Sequence, residues 1–418
     1  MRLTEFIDEF EVDMEARKRE LAEEKSYEVL DYIDGIEDRI APVRGETHVG
    51  RASPEIFVGR SGYPNVSSGI LAPTDPESNA AEHVTSGNWY DQGIGIENVL
   101  QYRTGLLNSQ QASDVNVHDT WNGFIGTQRE VAIADSPVDI ELDLASAPNV
   151  DLQLGEVSAP TGPRAQAADA TLTENPSVPR AVEKTLEDDD WQAQGAMNYL
   201  YRRGFDVYEI NSILSAGALG QGENRRLVPT RWSITAVDDT IGELLRGQIR
   251  NAPSIDAVQV YEETYMGNRY WIVLAPGTWE FELVEMKSPG SVWNPSSDGS
   301  VWMQSAHEVY EGRTQYVEET AGAYYASRLG VLEHLVEQDR QAKALVLRGV
   351  SDDYWAPVGV WQIRESIRNA FDQRPATAET FHDAVNQLTS LLPVDSDALR
   401  RKSDMVSGVQ SQLSNFSP

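Results

Sequence analysis

Residues 224–239 combine arginine and tryptophan in a pattern that suits binding to phosphates and bases. The side chains concerned are Arg225, Arg226, Arg231 and Trp232. A guanidinium group binds phosphate through paired hydrogen bonds, and an indole ring can stack on a base. Residues 200–250 contain seven basic and six acidic side chains, which makes this stretch slightly positive. The same pattern fits an Arg–Asp ion-pair network inside the protein, and the sequence leaves both interpretations open.

Residues Gly59–Pro64 form a second candidate phosphate site, because they follow an apolar stretch and contain two glycines. Backbone N–H groups in such a turn can hold a phosphate together with the Arg60 side chain. The segment lacks the Gly-Lys-Ser/Thr of a nucleotide-binding loop, and a tight structural turn explains it more simply. We therefore expect no cofactor.

Three charged residues near the end of a predicted strand resemble half of a metal-dependent nuclease site. Glu282 and Glu285 would bind Mg²⁺, and Lys287 would stabilise a hydroxide. The alternative is an exposed acidic face of the strand.

The C-terminal residues have the spacing Gln-x-x-aliphatic-x-x-aromatic, which is that of the motif for docking on the sliding clamp PCNA. Gln410, Leu413 and Phe416 occupy these positions, although Ser417 stands where a second aromatic residue is usual. One 3₁₀-like turn places residues three apart on the same side, so Leu413 and Phe416 form a two-pronged apolar plug. Arg400, Arg401 and Lys402 lie upstream and suit an acidic clamp surface. The alternative is a frayed amphipathic terminus that contacts nothing.

The charge of the chain indicates adaptation to high salt. Its 418 residues include 66 acidic and 34 basic side chains, for a formal net charge of −32 at pH 7. Only six of the basic residues are lysine, and many carboxylates with little lysine are typical of halophilic archaea. In molar salt the screening length falls to about 3 Å, so the acidity does not exclude DNA as a partner.

Cysteine and histidine content excludes several kinds of site. The chain has no Cys, and its six His are scattered without metal-ligand spacing, so we expect no disulfide, thiol nucleophile or metal site. The N-terminus is acidic and no apolar run reaches membrane-spanning length. We therefore expect a cytoplasmic protein that does not bind membranes.

The hydrophobic patterns predict an α+β fold of two domains, with mixed or antiparallel sheets packed with helices, followed by a flexible tail. We place the domains at residues 1–288 and 289–402, the second mainly helical, and the tail at 403–418. The first domain would include a leading helix at about 4–40 and a surface excursion at 158–190.

Individual elements follow from periodicity and from glycine positions. Two helices should meet at Gly204, as in a helix-turn-helix, and a third should cover about 236–250. The other predicted elements are strands at Val138–Leu142 and Val150–Leu154, a three-strand meander over 257–287, a buried strand at Ala344–Val350, and helices at 316–340, 359–371, 377–392 and 395–407.

Three segments together resemble the archaeal Nre family, in particular its NreA type from a salt-loving archaeon. They are the run from Ser53 to Pro73, the run from Arg225 to Asp239 and the terminal clamp motif. The resemblance implies a DNA-damage-response protein that docks on PCNA through Gln410, Leu413 and Phe416. Some relatives carry a Cys-rich segment near the N-terminus that this chain lacks. The resemblance supplies no catalytic residues, so it does not imply an enzyme.

The sequence therefore leaves three functions open. The first is a DNA-repair factor recruited by PCNA. The second is an enzyme that acts on DNA or a nucleotide through the Arg225–Asp239 run with Glu282 or Glu285. The third is a non-catalytic acidic interaction scaffold.

Overall fold

The computed structural model describes residues 47–149, 161–291, 293–296 and 298–408. These residues divide into two compact units. The first comprises residues 47–241 and 357–361, and the second comprises residues 242–356 and 362–408. The predicted helix at 4–40 and the predicted strand Val150–Leu154 lie outside the described residues. No helix within these ranges is long and apolar enough to cross a membrane.

The first unit is built on a six-stranded mixed sheet in the order β1-β5-β6-β4-β3-β2. β4 and β6 are parallel, and the other neighbours are antiparallel. Its strands are β1 (Thr47–Ala52), β2 (Ile56–Val58), β3 (Asn65–Pro73), β4 (Leu106–Asp114), β5 (Val138–Leu144) and β6 (Arg164–Leu172). In β5 the apolar residues alternate with polar ones and are buried, as predicted for a half-buried strand.

The helices of the first unit include the predicted pair around Gly204. The glycine has a φ of 92°, a left-handed conformation that ends one helix and reorients the chain. The helices are α1 (Asn88–Asp91), α2 (Ile96–Thr104), α3 (Gly123–Ile133), α4 (Arg180–Glu187), α5 (Ala193–Arg202), α6 (Val207–Ser215) and the beginning of α7 (Thr230–Ile249). α7 begins six residues before the predicted helix.

The second unit has its own six-stranded mixed sheet, in the order β10-β9-β11-β8-β7-β12. β9 and β11 are parallel, and the other neighbours are antiparallel. The strands are β7 (Val258–Tyr265), β8 (Asn268–Ala275), β9 (Glu280–Lys287), β10 (Trp302–Glu308), β11 (Lys343–Val350) and β12 (Ala376–Ala378). The two sheets confirm the α+β prediction. The predicted domain boundary at residue 288 falls between β9 and β10, and it stays a prediction.

The second unit also contains helices, some of which pack on its sheet. They are α8 (Ala321–Glu337), α9 (Trp361–Phe371), α10 (Phe381–Thr389), α11 (Ser396–Lys402) and a helical segment at 404–408. An apolar cluster joins the sheet to the last helices, with members such as Val284, Leu345, Leu388 and Val406.

Two local predictions are wrong. The described part of the predicted surface excursion at 158–190 is not one, because 164–172 form β6 inside the first sheet and 180–187 form α4. β6 buries Ala165, Ala167 and Ala170, and alanine gives a weak strand signal. The meander at 257–287 has its three strands, but β11 inserts between β8 and β9. Local patterns predict that a strand exists and do not specify its neighbours.

Candidate nucleic-acid interface

The candidate interface lies in the first unit, where the turn after β2 meets the N-terminal end of α7. The backbone N–H of Val58 donates to Oγ1 of the buried Thr230 at 2.9 Å. The N–H of Val115 donates to the carbonyl of Pro64 at 3.0 Å, and the N–H of Leu227 donates to the carbonyl of Val115 at 2.8 Å. These bonds bring together the two internal sequence runs that carry the family resemblance.

The turn itself is a tight structural turn. Gly62 has a φ of 81°, and a Cβ there would lie 2.7 Å from the carbonyl oxygen of Asn65, so glycine is needed. The N–H of Asn65 donates to the carbonyl of Gly62 at 3.0 Å, and the N–H of Tyr63 donates to that of Arg60 at 3.4 Å. The amides of Tyr63 and Asn65 are thus used within the turn, and a phosphate cradle formed by the other amides of the turn stays a prediction. The Arg60 side chain remains exposed.

Two exposed aromatic side chains, Tyr63 and Trp232, contact each other at the interface. The ring centroids of Tyr63 and Trp232 are 5.4 Å apart, with the ring planes tilted by 54°. The side chains remain 46% and 44% exposed. Trp232 lies in the first turn of α7, where its N–H donates to the carbonyl of Pro229 at 2.7 Å. The two rings therefore present a fixed apolar face to solvent, which suits stacking on a planar partner.

Three of the predicted arginines lie in the same two runs. Arg60 and Arg226 are exposed, and Arg231, which precedes Trp232 directly, is half-buried. None of the three forms an ion pair with another residue in the described ranges. Their guanidinium groups are therefore not used in ion pairs of the described residues, and such groups suit phosphate binding.

Arg225 has a different role from its neighbours. Its side chain is 6% exposed, and its guanidinium donates to the carbonyls of Gly220 at 3.0 Å, Leu186 at 2.9 Å and Thr185 at 3.2 Å. A carboxylate oxygen of Asp189 lies 3.5 Å away. Arg225 thus ties the end of α4 to the loop after α6, and the prediction that it contacts DNA or a nucleotide disagrees with this burial.

Arg129 of α3 is a second buried arginine, close enough to Arg225 for their charges to interact. It is fully buried, donates to the carbonyls of Val117 at 2.7 Å and Thr120 at 2.6 Å, and lies 3.8 Å from the ring centroid of Trp121. Burial, followed by the nearby charge of Arg225, lowers the pKa of Arg129 to about 10. Two buried guanidinium groups add positive potential beneath the surface.

The structure thus joins the two segments that carry Arg60, Arg226, Arg231 and Trp232, and it adds Tyr63, which the sequence analysis did not select. One signal was available for Tyr63, since a large aromatic residue in a Gly/Pro turn cannot reach a core easily. Nothing in the sequence distinguishes the buried Arg225 from the exposed Arg226.

The nuclease-like interpretation of Glu282 and Glu285 is wrong, and so is the alternative of an exposed acidic face. Both side chains are buried. They are three residues apart on β9, so they point to opposite faces of the sheet. The Glu285 carboxylate pairs with Arg348 of β11, whereas Glu282 accepts hydrogen bonds from residues 403–405. The two carboxylates therefore cannot share a metal ion.

The described residues contain no group of three or more His, Asp and Glu side chains arranged to hold a metal ion. The predicted clamp-binding residues Gln410, Leu413 and Phe416 lie outside the described residues, which end at Gly408.

The N-terminal and C-terminal parts of the chain match models of the same protein family. Residues 21–294 match the family model for the archaeal Nre N-terminal domain, and residues 308–416 match the model for the archaeal Nre C-terminal domain.

Three relatives have similar sequences over most of their length. The DNA repair protein NreA of Haloferax volcanii is 60% identical over 420 residues, which cover the whole of both chains. The DNA repair protein NreA of Archaeoglobus fulgidus is 36% identical, over 79% of this chain and 82% of the relative. The DNA repair protein NreB of the same organism is 33% identical, over 88% of this chain and 91% of the relative. No solved structure matches the chain.

Proposed function

The chain belongs to the archaeal Nre family, and on that premise we propose that it is a DNA-repair protein recruited to the sliding clamp PCNA through its C-terminal residues. The observation that carries the repair role is the full-length similarity to the protein named DNA repair protein NreA in Haloferax volcanii. Similarity across the whole chain favours a shared role for the whole protein over a shared fold alone.

Recruitment to PCNA rests on the terminal motif. Gln410 supplies an amide that can donate and accept, and Leu413 and Phe416 supply two apolar anchors. The family match of the C-terminal part extends through residue 416, so the motif lies within the segment that resembles the family.

Contact with DNA would use the interface around Tyr63 and Trp232. In molar salt the attraction between arginine and phosphate is strongly weakened. Stacking of a base on an aromatic ring depends less on salt and contributes about 1–3 kcal/mol per base. An exposed aromatic pair flanked by arginines is therefore suited to a salt-rich cytoplasm, and it favours unpaired bases whose faces are accessible.

The recruitment proposal can be tested in cells. A haloarchaeal strain that lacks the gene should regain resistance to DNA damage when it receives the wild-type gene, and should stay sensitive with Leu413→Ala/Phe416→Ala at equal protein level. Full resistance with the double variant would contradict recruitment through the tail.

The DNA contact can be tested by fluorescence anisotropy with a labelled single-stranded oligonucleotide in molar KCl. Tyr63→Ala/Trp232→Ala should weaken binding about tenfold or more, as expected for the loss of one or two stacked bases. Tyr316→Ala is the matched control, because Tyr316 is 57% exposed in the second unit. Absence of DNA binding by the wild-type protein would favour the scaffold interpretation.

A further inference from the structure

A buried carboxylate in the second unit holds the segment that leads into the C-terminal tail. Glu282 of β9 is fully buried. Its carboxylate accepts from the hydroxyl of Ser403 at 2.6 Å, from the N–H of Asp404 at 2.8 Å and from the N–H of Met405 at 2.9 Å. A buried carboxylate is costly unless such donors surround it, so this contact fixes the position of the segment.

Further contacts hold the same segment. Oγ of Ser403 accepts from the N–H of Val406 at 3.1 Å, and Oγ of Ser305 in β10 donates to the carbonyl of Lys402 at 2.9 Å. The side chains of Met405 and Val406 are buried in the apolar cluster of the second unit. Polar and apolar contacts therefore dock residues 402–406 on the sheet.

The docked segment ends close to the clamp motif. Gln410 follows Val406 by four residues, which span at most about 14 Å when fully extended. If residues 403–406 were released, the free chain would begin at Lys402, and its eight residues would reach about 28 Å. Docking of residues 403–406, to which the Glu282 contact contributes, thus halves the reach of the motif from the second unit.

We propose that Glu282 is a positioning residue for PCNA binding, which holds the origin of the tail so that the bound clamp stays at one place beside α11. This inference rests on the proposed recruitment to PCNA. The last turn of α11 carries Arg400, Arg401 and Lys402, and these side chains would face the clamp at this short distance. A short tether also raises the local concentration of the clamp surface near the basic last turn of α11.

The test measures the distance between the second unit and a bound haloarchaeal PCNA by pulsed electron paramagnetic resonance in molar KCl. The chain has no cysteine, so Gln387→Cys on α10, an exposed position, gives a single labelling site, and the clamp carries one label as well. Wild-type protein should give one narrow distance distribution. Glu282→Ala should broaden it about twofold, in line with the doubled reach, and should speed amide hydrogen exchange of Asp404 and Met405.

Two further variants keep the test decisive. Ser403→Ala removes one donor to Glu282 and the hydroxyl that accepts from Val406, and it should broaden the distribution even if Glu282→Ala does not fold. Asp206→Ala removes a helix cap in the first unit and should leave the distribution narrow. Equal widths for wild type, Glu282→Ala and Ser403→Ala would overturn the positioning role. Failure of the wild-type protein to bind PCNA would instead overturn the recruitment on which it rests.

Discussion

Glu285 of β9 and Arg348 of β11 form an ion pair inside the second unit, with side chains only 6% and 8% exposed. Arg348 also donates to Oδ1 of Asn268 at 2.7 and 3.0 Å. The pair joins two parallel neighbouring strands, so Glu285 serves the core of the sheet.

Replacement of Glu285 by Ala should destabilise the second unit by about 3–5 kcal/mol, because it leaves the Arg348 charge buried without its partner. Glu262→Ala is the matched control, since Glu262 pairs with Arg269 on the same sheet while both side chains are more than 40% exposed. The control should cost at most about 1 kcal/mol. Chemical denaturation in molar KCl measures both, and equal small effects would contradict a structural role for Glu285.

Truncation of the adjacent arginines Arg225 and Arg226 should affect different properties of the protein, namely stability for Arg225 and DNA binding for Arg226. Arg225→Ala removes two buried hydrogen bonds to carbonyls and a third that is partly buried, and it should destabilise the protein by about 3 kcal/mol or more. Arg226→Ala removes an exposed side chain and should change stability by about 0.5 kcal/mol or less, while weakening DNA binding. Thermal unfolding and anisotropy would separate the two roles. A stable Arg225→Ala protein with lost DNA binding would mean that Arg225 contacts the ligand after all.

Stability should fall at alkaline pH because of His307. Its hydrogen bond to Glu280, at 3.0 Å, and the nearby charges of Glu282 and Asp404 raise the pKa of His307 above 6.5. The protonated ring is therefore favoured by folding. Its contribution is complete below pH 6.5 and is lost as pH rises through the higher folded-state pKa. Denaturation from pH 6 to pH 9 should show this loss, and His307→Gln should remove it. An unchanged slope in the variant would assign the loss to other groups.

Stability should fall at acid pH for the opposite reason at His334. Burial lowers the pKa of His334 to about 4, and its ring stacks on Phe371 with centroids 3.9 Å apart. Folding therefore favours the neutral ring, so its contribution is present above pH 6.5 and is lost as pH falls towards 4. His334→Gln should flatten the curve in this range and leave the alkaline range unchanged. A variant that still shows the full acid loss would contradict the assignment.

Periodicity predicted elements better than it predicted contacts. Alternation in Val138–Leu142 and the glycine between α5 and α6 are local signals, and the structure confirms both. Local patterns do not indicate β6, because its buried residues are alanines, and the insertion of β11 between β8 and β9 depends on pairing between distant segments. Local sequence carries no information on such pairing.

At the candidate interface, too, local sequence did not predict contacts between distant segments. Trp232 and its neighbouring arginines were visible as a composition signal, but the contact with Tyr63 joins segments far apart in sequence. The sequence left open which arginines of the run are buried, and it did not predict burial of Glu282, because arginine and glutamate are buried only when specific partners surround them. Those partners, carbonyls for Arg225 and backbone amides for Glu282, have no signature in sequence.

Recruitment to the sliding clamp is tested most directly by calorimetric titration of a haloarchaeal PCNA with the full-length protein in molar KCl, where nonspecific ionic contacts are screened. We predict saturable binding by the wild-type protein and no detectable binding by Leu413→Ala/Phe416→Ala, with identical thermal unfolding of the two proteins. Equal affinities, or no binding by the wild-type protein, would contradict recruitment through the C-terminal motif.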